Sequence, residues 1–192
     1  MSSKSLKALC AWLLGLVLIG PLTSAPAVAS ARAPVHCPGS GLLPTPANLK
    51  QVASATLCLI DIRRVSRHRG MLRNNVPLSH VANRQVRIMW HRDYFADIGP
   101  SGITPASLVA ASSYPLGFGT FRVGQNLAWG TGAETSPARI VAAWMASPPH
   151  RAIMLDPKYR DAGVAAVPAT PAVIGAGQQG ATYAMEFGAR RR

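Results

Sequence analysis

Between Leu49 and about His68, apolar residues recur at Val52, Ala55 or Thr56, Leu59 and Ile62. That three-to-four spacing predicts an amphipathic helix. Arg63, Arg64 and Arg67 fall off the stripe and are expected in water, and Gly70 is placed to cap the C-terminus. A second helix is predicted from Leu78 to about Trp90, with Val81, Ala82, Val86 and Met89 inward and Pro77 and Ser79 near its start. After the turn-rich DIGPSGITP, Pro105 opens a short helix through Ala111. Residues 112–134 are rich in glycine and show no period that assigns an element. Ser136-Pro137 is an N-cap followed by proline at the first helical position. The helix it starts carries Ile140, Val141 and Trp144 and stops before Pro148-Pro149, and a short helical turn follows from His150 to Leu155. Beyond Pro157 the period changes: GVAAVPA, PAVIGAG and ATYAMEF read as short strands separated by Pro and Gly turns. Helices in the first two thirds and strands in the last third predict an α+β fold, with helices packed on an antiparallel sheet.

The start of the chain has a different pattern. Lys4 and Lys7 precede an uncharged apolar run from Ala8 to Ile19, which Gly20-Pro21 breaks. Small residues follow, and A-x-A patterns end at Ala29 and Ala33. About a dozen apolar residues are too few to cross a bilayer, which takes ~20. Residues 1–33 therefore read as a cleaved export signal rather than a retained anchor, with cleavage after Ala29 or Ala33. Cys10 begins the apolar run instead of following it, which argues against a lipoprotein. No other stretch comes near a membrane-spanning length, so the mature chain is expected to be secreted, with no transmembrane segment. Residues 34–48, with Pro34, Pro38, Gly39, Gly41, Pro44 and Pro46, read as an irregular strap ahead of one domain.

Removing the signal also removes Lys4, Lys7 and Arg32, which takes the net charge from +13 to about +10. Arginines cluster at Arg63, Arg64, Arg67, Arg69 and Arg73, and again at Arg190 to Arg192. Such a surface attracts anionic envelope polymers or lipid headgroups. Nucleic acid is excluded as the partner by export and by the lack of aromatics interleaved among the arginines. With Cys10 gone, Cys37 and Cys58 remain in an oxidising compartment, so one disulfide is expected. It closes a loop of about twenty residues, worth ~3 kcal/mol, and pins the strap to the first helix.

Several ordered segments carry a resemblance. They are LCLIDIRR, YFADIGPSGITP, VGQNLAWG, AWMASPPHRAIMLDPKYRDAGVAAV and ATYAMEFG. In this order and spacing, from about Ala55 to Gly188, the chain resembles the bacterial secreted branch of the CAP/SCP superfamily. That superfamily includes cysteine-rich secretory proteins, venom antigens and plant pathogenesis-related proteins. The resemblance implies an α-β-α sandwich with a central antiparallel sheet. It places the domain at 49–188 and leaves 189–192 as a basic tail.

Family members gather two histidines and two acidic residues in a cleft, and in several these hold a divalent metal. By resemblance the four positions fall here on Asp97, Gln125, Ser147 and His150, of which only His150 keeps the family residue. One imidazole, one carboxylate and a neutral amide are a poor set for zinc, and calcium wants more oxygens. No metal and no cofactor are therefore expected. Gln125 cannot titrate, which leaves His150 with Asp97 as the one acid–base pair and no nucleophile; Ser147 is read as capping the turn before Pro148. Trp129 and Trp144 are read as core. His36, His68, His80 and His91 show no metal-ligand spacing, and GQNLAWGTG lacks the lysine of a phosphate-cradling loop. The expected protein is a secreted, monomeric, non-enzymatic binder of lipid, envelope polymer or another protein. The alternative is a secreted hydrolase, protease-like or acting on cell wall, that uses His150 with Asp97.

Overall fold

The computed structural model describes residues 36–175 and 178–192; the export signal expected at 1–33 lies outside the described residues. In chain order the elements are α1 (Leu49–Val65), β1 (Arg73–Asn74), α2 (Val76–His91), α3 (Pro105–Ala110), β2 (Thr120–Thr131), α4 (Pro137–Ala146), α5 (Pro148–Leu155), β3 (Asp161–Val167), α6 (Ala172–Gly175) and β4 (Gly180–Arg191). A single 3-10 turn, Gly132–Thr135, links β2 to α4. The strands lie in the order β1-β3-β4-β2. The three longer strands are antiparallel, and the two-residue β1 pairs with β3 in parallel. The sheet is thus mixed at one edge, because a parallel neighbour needs a long crossover and the chain supplies it by way of α2 to α5.

Alternation along the strands sends neighbouring side chains to opposite layers. Tyr183, Met185 and Phe187 of β4 join Val52, Ile60, Val141, Trp144 and Met154 in the core under α1, α4 and α5. Ala184 of β4 and Leu127 of β2 join Ala82, Val86 and Met89 of α2 on the other face, and Leu78, Val81, Leu108, Val109 and Tyr114 extend that layer toward α3. The result is an α-β-α sandwich of the α+β class. α2 presses on β3 so closely that a Cβ on Gly163 would lie 2.0 Å from the Ser79 nitrogen. Only glycine fits there.

Five readings change in three dimensions. The glycine-rich stretch is the twelve-residue strand β2. Its glycine at 124 serves close packing, since a Cβ would meet the Tyr159 hydroxyl at 2.5 Å. Within PAVIGAG, Ala172–Gly175 form the short helix α6 and not a strand, and the Pro171 carbonyl accepts from Ile174 and Gly175. α1 ends on His68 at φ 56°, with Arg69 N–H donating to the Arg64 carbonyl, and not on Gly70. β4 runs to Arg191, so most of the expected basic tail is strand. Trp144 is buried as expected, but Trp129 stands 41% exposed on the edge strand.

The same helix holds a larger departure. Arg64 is fully buried, not solvated. Its Nε donates to the Gly70 carbonyl at 2.8 Å, its Nη1 to Met154 at 2.6 Å and Asp156 at 3.2 Å, and its Nη2 to Tyr159 at 3.3 Å. Carbonyls at the end of a helix have no intrahelical donor, and the guanidinium fork supplies several for those of α5 and the turn after it. One turn back, Asp61 is also buried and accepts from the Leu72 N–H at 2.9 Å. Burial pushes its carboxyl up to about 6, against the pull of the Leu72 N–H and the Arg64 charge. Cys37 and Cys58 form the expected disulfide, and the Ser40 carbonyl takes the Ala138 N–H, so the strap lies against α1 and α4.

Candidate functional site

β2 lies along the whole of β4, and this register sets Gln125 opposite Glu186, with Gly163 of β3 on the other side of Glu186. Both side chains fall on the α2 face, two residues from Leu127 and Ala184. Gln125 Nε2 donates to Glu186 Oε1 at 2.5 Å. Glu186 is completely buried, and burial pushes its carboxyl up to about 8; the Gln125 bond opposes this rise, and the negative charge of Asp97 adds to it. Glu186 therefore favours its protonated form at neutral pH. Glu186 Oε2 and Gln125 Oε1 have no other partner among the described residues. An acid and an amide are complementary in both directions, amide N–H to acid carbonyl and acid O–H to amide oxygen. One proton on Glu186 supplies the donor that this pair lacks.

Asp97 is exposed on the loop after α2. Bonds that hold that loop include Gln85 Nε2 to the Ala96 carbonyl at 3.4 Å, Tyr94 N–H to the Met89 carbonyl at 3.0 Å and Val173 N–H to Asp93 Oδ1 at 2.8 Å. Ser147 and His150 belong to α5, on the other side of β2. Asn126 points that way, opposite to its neighbour Gln125, and its Nδ2 donates to the His150 carbonyl at 3.1 Å. Asn126 Oδ1 is buried without a partner among the described residues. Ser147 occupies the N-cap position of α5 but makes no side-chain cap bond. Its hydroxyl lies 2.9 Å from His150 Nδ1 instead.

The four expected positions thus divide. Gln125 and the charge of Asp97 meet at Glu186 on the α2 face, while Ser147 and His150 pair with each other on the α5 side. Among the described residues, no hydrogen bond or ion pair joins His150 to Asp97. Sequence reasoning missed Glu186, Asn126 and Gln85. One signal was available: a carboxylate in the apolar run ATYAMEF has no place on a buried strand unless it is neutral or paired.

Residues 62–173, more than half of the 192-residue chain, match the profile described as the cysteine-rich secretory protein family. The chain belongs to that CAP family. Three solved bacterial structures share its fold. An extracellular protein containing an SCP domain from Bacillus anthracis matches with a TM-score of 0.57 and 20% identity, covering 78% of this chain and 44% of that one. An outer surface protein from Borrelia burgdorferi matches with a TM-score of 0.56 and 20% identity, covering 70% and 90%. A cysteine-rich secretory protein from Staphylococcus aureus matches with a TM-score of 0.53 and 15% identity, covering 77% and 41%. The chain therefore spans less than half of the B. anthracis and S. aureus proteins. No curated protein matches it in sequence.

The divalent metal of other CAP proteins does not fit these residues. Gln125 offers only a neutral amide already bonded to Glu186, Ser147 offers a hydroxyl, His150 lies on the opposite side of β2 from Gln125, and no three His, Cys, Asp or Glu side chains converge among the described residues. Nor is any described helix long and apolar enough to cross a membrane.

Proposed function

We propose that this CAP protein is exported by residues 1–33 and acts outside the cell as a monomeric, non-enzymatic binder of a lipid, an envelope polymer or a partner protein. Its binding domain is residues 49–188, steadied by the 34–48 strap. One observation carries this reading: the groups that would do chemistry in the cleft are bonded to each other. Glu186 holds its proton against Gln125, and the imidazole faces Ser147 rather than a carboxylate. General acid–base work needs titratable groups free to exchange protons with a substrate. A ligand specific for the folded state must raise its melting temperature. A thermal-unfolding screen against lipids and envelope polymers should therefore find a stabiliser, and Gln125→Ala or His150→Ala should weaken its effect. A purified protein that turns over a substrate and stops doing so in His150→Ala overturns the proposal.

A second reading, a secreted hydrolase, is favoured by the contact of the Ser147 hydroxyl with His150 Nδ1, which puts a base beside a potential nucleophile. In it, Asp97 supplies the carboxylate for His150. Activity lost in both His150→Ala and Asp97→Ala supports it, and loss in the first alone removes Asp97 from the mechanism.

A further inference from the structure

At the far end of the sheet a groove of about 600 Å³ runs between two walls. One wall is the start of β2 and the end of β4, where Arg122 stands opposite Ala189 and Thr120 opposite Arg191. The other is the turn between α5 and β3, which brings Lys158 and Arg160. Two carboxylates border it: Asp156 meets Arg122 loosely at 3.7 Å, and Asp161 meets Arg190 at 3.7 Å. Lys158, Arg160 and Arg191 have no carboxylate partner among the described residues. The walls are also firmly held. Arg160 Nη1 donates to the Pro157 and Tyr159 carbonyls. Arg190 is clamped between the rings of Tyr114 and Phe118, at 4.4 and 4.3 Å, and is bonded to the Tyr114 carbonyl.

Uncompensated cations facing each other across a concavity focus a positive potential along it. We propose that this groove binds a linear phosphate-bearing polymer of the cell envelope, with Arg122, Lys158, Arg160 and Arg191 as its phosphate contacts. Shape selects a strand over a membrane. A bilayer surface is broad and touches the rims of a groove, whereas a single polymer chain enters it and meets both walls. The outer face of α2 carries Arg84, Arg87 and Arg92 with His80 and His91 around a smaller depression of about 440 Å³, which is lined by this helix and its end alone and has no second wall. It serves as the internal control.

The inference deepens the binder reading by naming a site away from Gln125 and His150, and it rests on that reading only in that the protein acts by binding. Affinity of the purified protein for inorganic polyphosphate is measured by fluorescence anisotropy over a range of salt. Lys158→Gln/Arg191→Gln is compared with Arg84→Gln/Arg87→Gln, which removes equal charge, and thermal unfolding verifies that both variants fold. The groove pair is expected to lower affinity tenfold or more and to flatten the salt slope by about 0.7 per lost contact; the α2 pair is expected to change it less than twofold. Equal losses in both variants mean a nonspecific charge effect and overturn the proposal. So does tighter groove-dependent binding of phosphatidylglycerol vesicles than of polyphosphate. Failure of wild type to bind polyphosphate while a screened compound still stabilises it overturns the groove alone. Turnover lost in His150→Ala overturns the binder reading and leaves the groove result standing.

Discussion

Two buried polar clusters in this molecule are built on opposite terms. Under α1, the Arg64 guanidinium spends its donors on the carbonyls of Gly70, Met154, Asp156 and Tyr159, and Asp61 takes the Leu72 N–H. At β2, Gln125 Oε1, Asn126 Oδ1 and Glu186 Oε2 are buried with no partner among the described residues. The first cluster joins α1, α5 and the turn before β3, and its polar atoms are matched within the chain. In the second, Asn126 Oδ1 stays open on one face of β2, while Gln125 Oε1 and Glu186 Oε2 on the other are matched only through a proton on Glu186. A buried charge that is fully bonded is a structural part. A buried acceptor left open and a carboxyl that must keep its proton each cost the fold stability.

The comparison can be broken first at Arg64. Arg64→Met strips donors from several buried carbonyls and is expected to cost about 3–5 kcal/mol. That is a fall of roughly 10 °C in melting temperature for a domain of this size. A loss under 1 kcal/mol would mean that the cluster is not structural. Glu186→Gln should act the other way. The folded carboxyl titrates at about 8, above its usual 4.5, so its stabilising contribution is full below about 4.5 and is lost as pH rises toward 8. The variant should therefore melt several degrees above wild type at pH 8 and close to it at pH 4.5, and a wild-type profile flat across that range contradicts the protonated pair. A smaller effect of the same sign is expected at Asp61, which titrates at about 6. Asp61→Asn keeps an acceptor for the Leu72 N–H, should change stability at pH 7 by less than about 1 kcal/mol, and should flatten the profile between pH 4 and 6. Smallest is Ser147→Ala, expected within about 0.5 kcal/mol because the hydroxyl caps no backbone group. Its visible consequence is a shifted His150 Nδ1 resonance in nitrogen NMR, and an unchanged resonance removes the Ser147–His150 bond.

Much of the frame was legible residue by residue. Val81, Ala82, Val86 and Met89 face inward on α2 because their spacing follows the helical period, and that depends only on neighbours along the chain. Pro137 and Pro105 begin helices because their missing N–H costs nothing at the first position. The disulfide followed from the two cysteines that remain once the expected export signal is set aside. β2 was illegible because its glycines answer to Tyr159 and to the turn at Glu134, partners far off or out of line with the strand period. At the site, the sequence pointed to Gln125 and His150, but the pairings depended on register and on which side of a strand each residue takes.

The sequence by itself determined α1 to α5, the disulfide, the basic charge and membership of the CAP family, all of which rest on residue type and local spacing. The tertiary structure alone decided that Arg64 is a buried staple. It also set Glu186 against Gln125 and turned His150 to Ser147 and not to Asp97. Those outcomes depend on which distant segments share a low-dielectric interior, where one unmatched donor or acceptor outweighs any local preference.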